Sequence, residues 1–238
     1  MRIALIGYGK MGRAIEAIAL SRKHSIVLKI DIDNTDQLNA SNLAGADVAI
    51  EFTGPQSAYG NIMKCLEAGV SVVSGSTGWL ERLPEAEEYC LSHHGSLIWS
   101  SNFSVGVNIF FEINKKLAEL MEGHAEYDPV VTEVHHTAKK DAPSGTAITL
   151  ADQVLERLSR KKSWVNHHPG TEEELEILSK RIDPAAGIHK ISYRSEVDDI
   201  EIIHTAHNRT GFATGAVLAA EFILDKKGIF TMKDVLSL

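Results

Sequence analysis

The 238-residue chain is 44% hydrophobic and 24% charged, with a formal net charge of −8. Its length and apolar content suffice for one large or two modest domains with real cores, and an acidic balance without a continuous basic stripe argues against a nucleic-acid binder. No apolar run reaches the roughly 18 residues of a membrane span, and the opening seven residues are too soon interrupted by glycine for a signal peptide.

A cytoplasmic protein is therefore expected, with no membrane and no nucleic-acid partner. Cys65 and Cys90 have neither CxxC nor framework spacing and read as reduced thiols. The sequons at Asn39, Asn102 and Asn208 are then chance matches.

Residues 2–6 read as a short buried strand. Gly7-Tyr8-Gly9-Lys10-Met11-Gly12 follows at once and leads into a helix-patterned segment, residues 13–20. Strand, glycine loop and helix in that order suit a dinucleotide pyrophosphate. Gly7 permits the tight turn, Gly9 lets the phosphates approach the backbone, and Gly12 lets helix and strand pack closely. The next strand, residues 25–32, ends at Asp31-Ile32-Asp33, about 20 residues past the glycines, where an acid would hold the adenosine ribose. Asp31 and Asp33 share one face of an extended chain, so the spacing leaves both open. Asn34 follows with no arginine nearby, which suits NADH, while Lys10 and Arg13 could receive the extra phosphate of NADPH. The expected cofactor is NADH or NADPH.

Residues 47–53 form the third strand, closed by Gly54-Pro55, and residues 57–68 a helix. A fourth strand, 70–73, runs into Gly75-Ser76-Thr77-Gly78. In an open parallel sheet ligands lie beyond the carboxyl ends of the strands, so both segments should face the cofactor. A helix over 84–93, a strand over 96–99 and a polar stretch, 100–106, lead to an apolar helix over 107–121.

The densest chemistry lies at Glu133-Val-His-His-Thr-Ala-Lys-Lys-Asp-Ala-Pro-Ser-Gly-Thr-Ala147. The β-branched run before it predicts a strand, and the apolar spacing after it predicts a helix running to about residue 160. Ser144-Gly145-Thr146 then sits at a helix start, where outward amides and the helix dipole favour an anion. His135, His136 and Lys139 add groups that donate protons or grip carboxylates. A zinc site is disfavoured, because adjacent histidines point apart on a strand and no cysteine or HExxH spacing completes a shell.

Beyond this, residues 161–184 read as polar and irregular. Residues 187–194 and 199–206 alternate as strands that form a second sheet with residues 130–135, and a helix over about 212–225 and a short segment, 230–236, close the chain. His93-His94 and His167-His168 read as surface residues.

His135-His136-x-x-Lys139-x-Asp141-Ala-Pro-Ser-Gly145-Thr146-Ala147 strongly resembles the signature of the dihydrodipicolinate reductase family, nicotinamide-dependent enzymes of the diaminopimelate and lysine pathway. The resemblance extends over nearly the whole chain. It implies an α/β fold, a Rossmann-type parallel-sheet cofactor domain (1–103 and 208–238) with an inserted α+β substrate and oligomerisation domain (104–207). It implies that His135 and Lys139 handle the proton, and that His136, Gly145 and Thr146 hold a carboxylate of a small dicarboxylate substrate. It favours Asp33 at the ribose, and puts Gly75, Ser76, Thr77, Ser100, Ser101, Asn102 and Phe103 beside the nicotinamide half of the cofactor. It also implies a homotetramer. The chain departs from longer members, which carry more residues between the last two strands and a recognisable Gly-Glu-His segment, and that departure bears on oligomer contacts. Two other readings compete: a two-domain dehydrogenase acting on a semialdehyde, and a non-catalytic nucleotide-sensing Rossmann protein.

Overall fold

A computed structural model describes every residue, Met1–Leu238, and the chain divides into two compact units, Met1–Val105 with Arg209–Leu238, and Gly106–Asn208. The first unit begins with β1 (Arg2–Ile6), α1 (Lys10–Ser21), β2 (Ser25–Ile30), a 3₁₀ turn (Ile32–Gln37), α2 (Ala40–Leu43) and β3 (Val48–Glu51). It continues through α3 (Ala58–Glu67), β4 (Ser71–Ser74), α4 (Leu83–Ser92) and β5 (Ser96–Trp99). The second unit contains most of α5 (Val105–Met121), then β6 (Asp128–His135), α6 (Gly145–Leu155), β7 (Ser163–Val165), β8 (Glu174–Arg181), β9 (Ile188–Arg194) and β10 (Asp199–Thr205). The chain then returns to the first unit as α7 (Thr210–Ile223), β11 (Gly228–Phe230) and α8 (Met232–Leu236).

The first sheet is six-stranded and wholly parallel, in the order β11-β5-β4-β3-β1-β2. A parallel sheet covered on both faces needs strands that are apolar on each side, and all four residues of both β3 and β4 are buried. Alternation splits them between two cores. Ile3, Leu5, Val48, Ile50 and Val73 join α7 residues such as Ala216 and Ala220, while Ala4, Ile6, Ala49 and Val72 pack with Ile62 and Cys65 of α3. β11, which lies partly within the expected closing segment, extends this sheet by pairing with β5.

The second sheet is mixed, in the order β10-β9-β6-β8-β7. β8 and β7 lie where an irregular segment was expected. In Glu174-Leu-Glu-Ile-Leu-Ser-Lys-Arg181, Leu175 and Ile177 alternate inward, but charged neighbours on the other face mask the period. The helix expected to reach residue 160 ends at Leu155. Val131, Leu175, Ile177, Ile191 and Tyr193 form one apolar face of this sheet and pack with Leu150 and Val154 of α6.

Candidate active site

At the carboxyl ends of β1, β2, β3 and β4 two adjoining cavities open. One, of about 300 Å³, is lined by Gly9, Lys10, Met11, Gly75, Ser76 and Thr77 among others. The other, of about 450 Å³, is lined by Gly7, Gly9, Asp31, Thr35, Thr53 and Asn61 among others. The glycine loop between them explains its own composition. Gly7 has φ +93, and a Cβ there would stand 2.1 Å from the Phe52 carbonyl oxygen, while a Cβ on Gly12 would stand 2.3 Å from the Gly7 carbonyl oxygen. A Cβ on Gly9 would meet nothing within 4 Å. Two glycines are forced by close packing, and the third leaves open space over the start of α1, the arrangement a bound pyrophosphate needs. The residues therefore fit a dinucleotide.

Asp31, immediately after β2, lines the larger cavity, and its carboxylate accepts the Ile32 N–H at 2.9 Å. Asp33, the residue favoured by the resemblance, lies inside the 3₁₀ turn and is not part of either cavity wall. The strand stops two residues earlier than expected, and that decides which acid faces the cavity.

Glu51, at the end of β3 in a segment expected to face the cofactor, is instead fully buried and acts as an anchor. Its carboxylate accepts the Thr53 N–H (2.9 Å), the Thr53 hydroxyl, Ser76 Oγ (2.8 Å) and Ser74 Oγ (2.6 Å). Ser76 Oγ also accepts the Thr53 N–H at 2.8 Å, and the Ser76 carbonyl receives both Trp79 Nε1 (2.9 Å) and Trp99 Nε1 (2.8 Å). Ser76 was expected to meet the cofactor, but its hydroxyl is turned inward to Glu51. It shapes the cavity wall by holding the loop in place.

The expected nicotinamide segment behaves in a similar way. Phe103 is 1% exposed and packs its ring on Phe52 at 5.7 Å, as core. Ser100 Oγ donates to the Asn102 carbonyl at 2.8 Å, and Asn102 Oδ1 accepts the Ser104 N–H at 2.9 Å. Ser101 is exposed. None of the four lines the two cavities.

In the second unit the apolar sheet face turns polar at one end, and strand register builds a constellation there. Across β8, β6 and β9, Ser179 pairs with Glu133 and Glu133 with His189; in the next inward position on β6 and β8, His135 pairs with Arg181. Residues two apart on a strand share a face, so Glu133, His135, Ser179, Arg181 and His189 continue the face that carries Val131, Ile177 and Ile191. Glu133 is fully buried. Its Oε1 accepts Arg181 Nη2 at 3.0 Å and the Ser144 N–H at 3.2 Å, and its Oε2 lies 3.0 Å from His135 Nδ1. Burial by itself raises a carboxyl, but hydrogen bonds from His135, Ser144, Ser179 and Arg181 outweigh it and hold Glu133 far below the usual carboxylate range.

His189 is the common neighbour. Its Nε2 lies 3.2 Å from Ser144 Oγ, its ring meets that of His135 edge-on at 5.1 Å, and Lys139 is near enough to act on it electrostatically. Lys139 Nζ sits 2.8 Å from both carboxylate oxygens of Asp141. Ser144 caps α6 by accepting the Ala147 N–H at 3.3 Å, so the first-turn amides of Gly145 and Thr146 point out of the helix end. A Cβ on Gly145 would meet nothing within 4 Å, which leaves room for a ligand. His136 is half-buried in the same turn, and its carbonyl accepts the Lys139 N–H at 3.1 Å. Glu133, His135 and His189 offer donor atoms within 4.8 Å of one another, but Glu133 already carries a guanidinium and an amide, which makes the group an ion-pair network.

Sequence reading missed Arg181, because its strand went unseen, and His189. The signal for His189 was present: it falls in phase with buried Ile191 and Tyr193.

Burial, followed by repulsion from His135, pushes His189 down to about 4. A histidine kept neutral in the fold takes up fewer protons than the unfolded chain, so its stabilisation is complete above about pH 6.5 and is lost as pH falls toward 4. Denaturant titrations should show roughly 3 kcal/mol at most lost across that window, and the His189→Asn variant should flatten the dependence.

Comparison with known proteins matches residues 1–103 to the family described as dihydrodipicolinate reductase, N-terminus, and residues 106–236 to dihydrodipicolinate reductase, C-terminus. The chain is 50% identical over 239 residues to a 4-hydroxy-tetrahydrodipicolinate reductase of Christiangramia forsetii, covering 100% of this chain and 98% of the relative. It is 34% identical over 231 residues to one from Neisseria meningitidis serogroup B, covering 94% and 84%. Among solved structures, a dipicolinate-bound dihydrodipicolinate reductase from Paenisporosarcina sp. TG-14 shares the fold with a TM-score of 0.78 at 23% identity, covering 98% of each chain.

Proposed function

The chain belongs to the dihydrodipicolinate reductase family, and from that premise we propose that it reduces a cyclic, unsaturated imine dicarboxylate derived from 4-hydroxy-tetrahydrodipicolinate to tetrahydrodipicolinate. The observation that supports this most directly is the grouping of His135, Lys139 and the N-terminus of α6 around His189, a set of proton donors beside an anion-binding turn.

Bound NADH or NADPH supplies the hydride. The Gly7–Gly12 loop and Asp31 hold the dinucleotide, with Asp31 preferred to Asp33 at the ribose because it lines the cavity. The amides of Gly145 and Thr146, with His136, hold a substrate carboxylate and orient the ring, which is where much of the rate arises through positioning. Lys139 Nζ delivers the proton that completes the reduction, with His135 as the acid/base partner; the proton step accounts for about 10²- to 10⁴-fold in rate. Substrate must first draw Lys139 away from Asp141.

The proposed assembly is a homotetramer. β10 ends its sheet and exposes Ile200 and Ile203, a seven-residue edge that isolated proteins usually protect; light scattering on the native protein measures the state. No helix is long and apolar enough to cross a membrane, and the proposed location is the cytoplasm, checked by fractionation.

An absorbance assay tests the activity. The expected result is oxidation of NADH, NADPH or both when 4-hydroxy-tetrahydrodipicolinate is supplied, with dipicolinate inhibiting competitively. Activity on an amino-acid semialdehyde that ignores dipicolinate would favour the other dehydrogenase reading, and nucleotide binding without turnover would favour a sensor.

A further inference from the structure

Glu133 stands where an apolar residue would pack. Val131, two positions earlier on the same face, belongs to the core, whereas Glu133 brings a fully buried carboxylate that costs several kcal/mol to desolvate unless it is paired. Its two oxygens are divided between two tasks. Oε2 lies 3.0 Å from His135 Nδ1 at ion-pair distance but outside hydrogen-bond alignment, and neither buried atom has a hydrogen-bond partner of its own. Oε1 takes the Ser144 N–H, at the cap of the anion-binding turn, together with Arg181 Nη2. The same Nη2 donates to the Asp141 carbonyl at 2.6 Å, so Arg181 also ties down the loop that carries Lys139.

We propose that Glu133 and Arg181 form a buried positioning pair for the reductase: Glu133 fixes His135 with its proton on Nδ1 and anchors the Ser144 turn, and Arg181 cancels the Glu133 charge that would otherwise repel the incoming dicarboxylate. The inference rests on the reading of His135 and the α6 N-terminus given above. With Nδ1 committed to Glu133, His135 meets the substrate through Nε2. Gly187 keeps that atom uncovered, since a Cβ there would stand 3.3 Å from Nε2. A third group fixing the orientation and tautomer of an acid/base histidine is a general device, and a wrong tautomer costs rate with the geometry intact.

Arg181→Ala leaves a buried, uncompensated carboxylate directly behind the carboxylate-binding turn, whereas Glu133→Gln with Arg181→Ala removes both charges. Calorimetric titration of dipicolinate should show binding weakened about tenfold or more in Arg181→Ala, and restored to within about threefold of Glu133→Gln in the double variant. Glu133→Gln alone should lower kcat by about 10²-fold, with the dissociation constant for NADH unchanged. Arg181→Lys, which keeps the charge if Arg181→Ala fails to fold, should retain most of the dipicolinate affinity.

Nitrogen-15 NMR of histidine-labelled wild-type protein should show His135 protonated on Nδ1, and this measurement needs no variant. An Nε2–H tautomer in the wild type, or a double variant no better than Arg181→Ala, overturns the proposal. A wild type that neither binds dipicolinate nor oxidises NADH or NADPH overturns the reductase reading instead, and leaves the tautomer result standing.

Discussion

Replacing Lys139 by alanine is expected to lower turnover by about 10²- to 10⁴-fold, while the dissociation constants for NADH and NADPH and the melting temperature stay near those of the parent. The separation follows from where the side chain sits. Lys139 occupies a loop between β6 and α6, and its one salt bridge is to Asp141, whose side chain is 59% exposed. An ion pair of that kind contributes little to stability, about 0–1 kcal/mol. The glycine loop and Asp31 belong to the other compact unit, and Lys139 is not among the residues lining the cavities there. What the substitution removes is the proposed proton donor, an interaction made in the reaction and not in folding, and such losses fall on kcat. Stopped-flow turnover combined with fluorescence titration of NADH reads both quantities. Equal loss of turnover and cofactor affinity, or no loss of turnover, would remove Lys139 from its assigned role.

The largest effect on stability is expected from Gly215→Ala. Gly215 lies mid-helix in α7, where alanine would ordinarily help by about 1 kcal/mol. Here a Cβ would stand 1.7 Å from the Phe103 carbonyl oxygen and 2.7 Å from its carbonyl carbon. The helix approaches the backbone at Phe103 closely because its buried face is built from Gly215, Ala216, Ala219 and Ala220. Backbone cannot rotate away as a side chain can, so the substitution should reach the upper end of the overpacking range, about 3 kcal/mol. For a chain of this length that corresponds to a fall in melting temperature of roughly 6–12 °C. Gly9→Ala is the matching control. Its Cβ meets nothing, so the melting temperature should hold within about 2 °C while NADH binding weakens, because the open space over Gly9 is where the phosphates belong. Calorimetry of the two variants side by side tests the distinction; a Gly215→Ala protein that melts with the parent would refute the close-contact argument.

The sequence by itself determined what local spacing can carry. Alternation and glycine placement identified the parallel sheet and its loop, since each depends on neighbours within a few residues. The run from His135 to Ala147 supplied the candidate proton donors and the candidate anion-binding turn for the same reason. Tertiary structure alone decided the remainder. Whether Asp31 or Asp33 faces the cavity depends on where β2 stops, and whether Ser76 points at a ligand or at Glu51 depends on the pairing of β3 with β4. Arg181 and His189 lie 48 and 56 positions beyond Glu133 in the chain, and they reach it because β8 and β9 flank β6 in a particular register. Local pattern encodes the period of a strand but not its partner, and a site assembled across three strands comes into being with the pairing.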